Sequence, residues 1–218
     1  MTETKVIVFR GVHLAGKTTV CTNLIRRHPN WVYVAERLLP VPDTIRFGAV
    51  DDLHAAVRGE LWWIANSLWK WVQLYDIVQR QRPPVILVER DLYDVLAYIT
   101  VLVRQKSEVL GTKLSEVIGT VTELIDEYMH VPITGIIYMS CSPDEVVRRA
   151  VARNPEQASK WNEQDREYAA QLIEVYRDMY RQDTELGTRC IWYDTTRRSI
   201  EDTVRDIEDI IIRWTSEV

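Results

Sequence analysis

Residues 11–18 read Gly-Val-His-Leu-Ala-Gly-Lys-Thr, a complete G-x-x-x-x-G-K-[ST] run, and no other segment narrows the possible folds as far. The pattern has chemical meaning only between a strand and a helix. Both flanks comply. Lys5-Val6-Ile7-Val8-Phe9 is a short β-rich apolar run, and Thr18 to Arg27 is helix-compatible with apolar Val20, Leu24 and Ile25. Glycine at 11 and 16 lets the backbone close around phosphate oxygens, with successive N–H groups from Val12, His13, Leu14 and Ala15 onward to Thr19 turned inward. In such a loop Lys17 reaches the β- and γ-phosphates and the Thr18 hydroxyl binds Mg²⁺. The helix N-terminus adds its partial positive charge. The expectation is a nucleoside-triphosphate site on residues 11–19, with ATP as the phosphoryl donor and Mg²⁺ as its ion.

The remaining sequence alternates strand and helix. Trp31 to Ala35 is a second strand candidate, followed by a loop with Pro40, Pro42 and Asp43. Asp51 to Gln81 reads as one or two helices with a possible break at Gly59, ended by Pro83-Pro84. Val85 to Val88 is a fully buried strand, Leu92 to Arg104 a helix, and Gly111 marks a turn before a helix over about 113–129. Gly135 to Met139 is the fourth strand, with Pro143 opening the next helix and Asn154-Pro155 breaking it. A helix over about 165–182, a strand at Cys190 to Tyr193 and a helix from Ile200 to Trp214 complete the chain. Strands separated by helices predict an α/β three-layer sandwich, a five-stranded parallel sheet covered on both faces. The 218 residues suit one domain, 1–218, whose ligands gather beyond the carboxyl ends of the strands.

Charge and cysteine content remove other classes. A net charge of −5 leaves no cationic surface for non-specific nucleic-acid or polybasic membrane binding, so neither partner is expected. No apolar stretch is long enough to span a bilayer, and Met1 to Lys5 lacks the apolar core of a signal peptide. Cys21, Cys141 and Cys190 are few, odd in number and far apart, which predicts reduced thiols and a cytoplasmic location. The cysteines and histidines form no metal-ligand cluster.

The loop alone does not separate kinases from switch GTPases or motor ATPases. The guanine-reading N-K-x-D segment is absent, and the third strand ends in Glu89-Arg90-Asp91 rather than a motor-type Asp-Glu. A strand-end carboxylate at Glu89 can hold Mg²⁺ through water, and Arg90 can grip an acceptor or a phosphate. Arg148, Arg149 and Arg153 precede a polar stretch over 154–164 that reads as a mobile lid, about 149–164. Arg149 and Arg153 are four apart and share a helix face, as two cations converging on a transferring phosphoryl would.

These residues together resemble the thymidylate kinase and deoxynucleoside kinase superfamily. Tyr193 to Asp202 is similar to the thymidylate kinase D-A-x-x-S-I-E-x-V segment, which implies an adenine contact at Arg197. Glu89-Arg90-Asp91 through Ala97-Tyr98 matches the spacing of that family's D-R-Y-x-x-S-x-x-A-Y-Q, and Ala65-Asn66 resembles its A-N-R motif. Glu89 in place of Asp, the stretch from Pro143 to Gln157 with Glu156, and Glu36 ending the second strand look more like deoxynucleoside kinases. The departures are Ser67 where an Arg is expected, Ile99 for Gln, His13-Leu14 for Asp-Gly, and Leu96 at the spacing of a deoxynucleoside kinase Arg. The resemblance implies catalysis by Lys17, Glu36, Arg90, Arg149 and Arg153 and an acceptor site of Glu36, Arg37, Asn66, Arg90 and Glu156. It also implies a homodimer contact among helices such as the one carrying Trp62, Trp63, Trp69 and Trp71.

The leading expectation is ATP-dependent phosphoryl transfer to a pyrimidine deoxynucleoside monophosphate. Transfer to a nucleoside 5′-hydroxyl is the alternative, followed by a kinase of another small hydroxyl compound and by a nucleotide-binding regulator without transfer activity. Glu36 bears on this choice, because a hydroxyl acceptor needs a base and an ionised phosphate does not.

Overall fold

A computed structural model of the chain describes residues 3–45, 52–104, 106–153 and 164–216. Five strands form one sheet in the order β2-β3-β1-β4-β5, with every neighbouring pair parallel. They are β1 (Lys5–Gly11), β2 (Val32–Val34), β3 (Val85–Glu89), β4 (Ile133–Ser140) and β5 (Cys190–Asp194). β1, β3 and β4 read as near-continuous apolar runs because both faces are covered, and Val6–Phe9, Ile86–Val88 and Ile136–Met139 are all buried. β1 lies at the centre, so Phe9 pairs with Glu89 on one side and Gly11 with Met139 on the other. The loop leaving β1 is therefore flanked by the carboxyl ends of two strands, where an open parallel sheet places its ligands.

The helices are α1 (Lys17–Arg27), α2 (Leu53–Arg80), α3 (Leu92–Tyr98), α4 (Glu108–Tyr128), α5 (Pro143–Arg153), α6 (Arg166–Glu185) and α7 (Ile200–Ser216). The segment Ile99–Arg104 continues α3 as π-helix. The region around 51–81 is one helix of 28 residues, capped by the Asp52 carboxylate on the His54 and Ala55 amides, and it runs through Gly59 without a break. Gly111, expected in a turn, lies in the first turn of α4, which begins at Glu108 under a Ser107 cap. A Cβ there would stand 2.8 Å from the Arg104 Cα, so the glycine permits a close crossing rather than a reversal. The lid expected over about 149–164 is helical to Arg153; residues 154–163, including Glu156, lie outside the described residues.

The tryptophans of α2 divide by what lies above them. Trp62 is 8% exposed because the loop after β2 covers it and its Nε1 donates to the Pro40 carbonyl at 3.1 Å. Trp69, seven residues on and nominally on the same face, is 45% exposed. No helix among the described residues is long and apolar enough to cross a membrane.

Candidate active site

The loop from Gly11 to Thr18 keeps its shape through positive backbone angles. Gly11 has φ 127°, and a Cβ on it would come within 1.9 Å of the Met139 carbonyl oxygen. Leu14 (φ 61°) and Gly16 (φ 95°) repeat the left-handed turn before α1 begins at Lys17. The Lys17 ammonium arches back over the loop, donating to the carbonyls of Gly11 at 2.8 Å and Val12 at 2.7 Å. Burial, with the Arg90 charge next in weight, lowers the Lys17 pKa to about 8. Thr18 Oγ1 donates to Glu89 Oε1 at 2.6 Å, and the Tyr33 hydroxyl donates to the other Glu89 oxygen. A hydroxyl and a carboxylate oxygen side by side form a hard-oxygen pair. That pair suits Mg²⁺, which takes few protein ligands beside phosphates and water. The described residues hold no group of three or more His, Cys, Asp and Glu side chains arranged for a metal.

Beyond β2 and β3 lies a second set of charges centred on Arg90. Its φ is 62°, held by the Arg90 amide donating to the Phe9 carbonyl at 2.9 Å. One terminal nitrogen donates to Asp94 at 3.0 Å, to the Tyr176 hydroxyl at 3.0 Å and to the Gly11 carbonyl at 3.1 Å. The other donates to the Tyr98 hydroxyl at 3.2 Å. Arg90 Nε lies 2.6 Å from Glu36 Oε1, yet its N–H has no aligned acceptor, so this contact is a pairing of charges. Burial alone would raise the Glu36 pKa. Arg90, then Lys17, Lys70 and Arg37, outweigh it and hold the carboxyl below its usual range, so Glu36 is ionised at neutral pH. On Asp94 burial prevails instead, raising its pKa against the opposing pull of Arg90. Asp94 also accepts from the Gly11 amide at 3.3 Å and the Tyr176 hydroxyl at 2.7 Å, which ties the phosphate loop to α3 and α6.

His13 stands between the two sets, its ring stacked on Tyr168 at 5.9 Å and its Nδ1 3.4 Å from the Tyr98 hydroxyl. Burial, then the Arg90 and Lys17 charges, lowers its pKa to about 3, so the imidazole is neutral. Its Nε2 is buried with no hydrogen-bond partner among the described residues.

On the other side of the loop, a cleft of about 520 Å³ opens between Leu14–Gly16 and the segment from Thr195 to Thr203. Arg149 spans it. Its guanidinium donates to the Leu14 carbonyl at 3.0 Å, the Thr195 hydroxyl at 3.0 Å, the Thr195 carbonyl at 2.8 Å and Glu145 at 2.7 Å. Thr195 in turn donates to Ala15 and Ser140 carbonyls at 3.2 and 3.1 Å. Arg149 is thus a brace between loop and cleft wall in this conformation. Arg198 lines the cleft, while Arg197, the residue expected to meet adenine, is exposed outside that lining.

Lys17, Thr18, Glu36, Glu89 and Arg90 are brought together from three chain segments, the head of α1, the loop after β2 and the end of β3. Arg37 and Arg153 are exposed. Asn66, expected to touch an acceptor, uses its amide to fix the loop after β2: its oxygen accepts from the Leu38 and Leu39 amides at 2.9 and 3.1 Å, and its nitrogen donates to the Glu36 carbonyl at 2.8 Å. Sequence reasoning missed Tyr33, Lys70, Asp94 and Tyr176. Lys70 alone left a signal, a cation on the apolar face of α2 beside Trp71 and Leu74.

The architecture, with its glycine-rich loop at the head of α1 and β1 central in a 2-3-1-4-5 parallel sheet, defines a P-loop α/β fold. More narrowly, the chain has the fold of the thymidylate and deoxynucleoside kinase superfamily. It matches thymidylate kinase from Candida albicans with a TM-score of 0.67 over 97% of this chain and 92% of that one, at 14% identity. It matches deoxyadenosine kinase from M. mycoides with bound dATP at 0.65 over 95% and 98%, at 15% identity. A second structure of that enzyme, with dCMP and a flexible dCDP as products, gives 0.60 over 95% and 98%, also at 15% identity. No family model and no curated protein sequence matches the chain.

Proposed function

We propose that the protein transfers the γ-phosphoryl group of ATP to the 5′-hydroxyl of a deoxynucleoside. The observation that carries this reading is the Glu36 carboxylate, 2.6 Å from Arg90, whose charge with that of Lys17 holds it below its usual range. A hydroxyl becomes acidic as its oxygen bonds to phosphorus, and a fixed carboxylate beside it can accept the proton. The new O–P bond forms as the bond from the γ-phosphorus to the bridging oxygen breaks, leaving ADP. Glu36 takes the proton. Lys17 exchanges its two loop carbonyls for β- and γ-phosphate oxygens. Thr18 and Glu89 would hold Mg²⁺, which when bound neutralises phosphate charge. Arg90, anchored by Asp94 and three other groups, fixes Glu36 rather than moving with substrate.

The second reading, a pyrimidine deoxynucleoside monophosphate acceptor, is favoured by the Ala65-Asn66, Ala97-Tyr98 and Asp194 to Asp202 resemblances. Against it, the cation nearest the acceptor position is already paired with Glu36 and Asp94, and a phosphate dianion there would face both carboxylates. ADP formation with deoxynucleosides and their monophosphates side by side tests the choice. Turnover of nucleosides supports the proposal; turnover of monophosphates alone overturns it.

We read residues 1–218 as one kinase domain that works as a cytoplasmic homodimer. In support, α2 exposes Leu61, Trp69, Val72 and Tyr75, and α4 exposes Val117, Leu124 and Tyr128, two apolar stripes on adjacent long helices. Sedimentation of the protein at micromolar concentration checks the dimer, and a monomer there refutes it.

A further inference from the structure

Lys70 is 2% exposed, and its ammonium group donates to two backbone carbonyls, Glu89 at 2.7 Å and Arg90 at 3.1 Å. A buried cation is costly where an apolar side chain of the same length would pack, so its retention calls for a compensating role. Its position is informative. The two carbonyls belong to the turn between β3 and α3, where Arg90 holds a left-handed angle that disfavours a side chain with a Cβ. The turn is held from three directions. The Arg90 amide bonds to Phe9 in β1, the Asp91 amide to Asp94 in the α3 capping box, and the two carbonyls to Lys70 in α2. Of these, only the Lys70 bonds reach Glu89 and Arg90 together, the residues whose side chains face Thr18 and Glu36.

Glu36, Asp94, Glu89 and Asp91 surround the ammonium electrostatically, and Arg90, Lys17 and the neutral His13 lie across the site. Burial opposes these carboxylates and brings the Lys70 pKa down to about 8. Ser67, one turn earlier on α2, is buried as well, so this face offers Lys70 as its one cation among the described residues between Leu53 and Leu74.

We propose that Lys70 is a positioning residue. Its ammonium group clamps the β3–α3 turn so that the Glu89 carboxylate is aimed at the metal position beside Thr18 while Arg90 stays turned toward Glu36. The inference rests on the Mg²⁺-dependent reading above, but its test does not need the acceptor. ATP binding is measured by calorimetry in EDTA and again in Mg²⁺ for the wild type, Lys70→Met and Lys70→Arg. Among the described residues the hydrogen bonds of Lys70 go to Glu89 and Arg90 and not to the loop, so ATP affinity in EDTA is expected to stay within about twofold. The factor by which Mg²⁺ strengthens ATP binding is expected to fall about tenfold in Lys70→Met, the lower end for loss of a group that orients a metal ligand. Lys70→Arg, which keeps donors for both carbonyls, recovers part of it. An unchanged Mg²⁺ factor in Lys70→Met overturns the proposal, as does an equal loss of affinity with and without Mg²⁺. If Lys70→Met gives no cooperative thermal transition, Lys70→Gln, which keeps an amide donor, is judged by the same two outcomes. Absence of any ADP formation by the wild type would defeat the kinase reading and leave this binding result standing on its own.

Discussion

The two sides of the phosphate loop are held by different means. On the donor side, contacts fall on the backbone. Lys17 bonds to loop carbonyls, Arg149 to the Leu14 and Thr195 carbonyls, and Thr195 to Ala15 and Ser140. On the acceptor side, side-chain groups from four chain segments meet around Arg90: Glu36, Asp94 and the hydroxyls of Tyr98 and Tyr176 at its guanidinium, and the Lys70 ammonium at its carbonyl. Backbone recognition tolerates many side chains because every residue supplies the same N–H and C=O. A charge cluster does not, since removing one member leaves another buried and uncompensated. The donor side is therefore expected to tolerate most substitutions away from Lys17, Arg149 and the tight turn at Gly11, and the acceptor side to be fragile throughout.

The largest effect expected is at Lys17. Lys17→Met should lower turnover by roughly 10³-fold or more, because a cation is lost where phosphoryl charge develops. Steady-state ADP production measures it, and turnover within threefold of wild type would remove the loop from catalysis. Next is Glu36→Gln, expected to lower turnover by about 10²-fold or more, the range for a lost general base. Thermal unfolding should remain cooperative. A modest rate effect would favour an acceptor that is already ionised and blunt the contrast between the two sides.

Arg149→Ala sharpens the comparison because the residue was expected to act on the transferring phosphoryl. As a brace it should raise the Michaelis constant for ATP about tenfold, one or two hydrogen bonds' worth, with a smaller change in turnover. Arg153→Ala supplies the control, and if it acts on the phosphoryl it lowers turnover instead. The reverse split would restore Arg149 to the transition state and make Arg153 the structural residue.

The smallest effect concerns stability alone. Glu60 is 4% exposed on α2 with one oxygen lacking a hydrogen-bond partner, and burial raises its pKa from 4.5 to about 8. The folded state therefore keeps a proton that the unfolded chain releases above its ordinary value. The stability this group allows is fully present below pH 4.5 and is lost as pH rises through about 8. Glu60→Met should flatten that decline and stabilise the fold at pH 8 by about 1–3 kcal/mol, relieving an unpaired buried group. Urea unfolding at pH 5 and pH 8 reads it directly. A wild-type stability that rises across this window, with no change in the variant, would mean that Glu60 finds a partner.

Much of this architecture is written locally. The run at 11–18, the apolar strands and the proline and glycine punctuation suffice for a parallel five-stranded sheet, because alternation of buried strands and helices leaves few other ways to cover both faces. Where local reading failed, a tertiary neighbour was the reason. Gly111 looks like a turn residue in sequence but is a helical glycine crossed by Arg104, and Gly59 lies within an unbroken α2 because packing outweighs its low helix propensity.

The sequence by itself determined that a glycine-rich loop of phosphate-binding pattern follows a short apolar strand, and that Glu89-Arg90 and Glu36 stand at the carboxyl ends of two others. These are properties of short segments, encoded by residues close together in the chain. Only the tertiary structure decided that Arg149 spans the cleft to Leu14 and Thr195, that the Asn66 amide bonds the loop after β2, and that Lys70 and Asp94 join the cluster across 19 residues from Glu89 and 83 from Gly11. Such pairings depend on which strand ends lie side by side and how deeply each charge is buried, because burial is what turns proximity into strong electrostatic coupling.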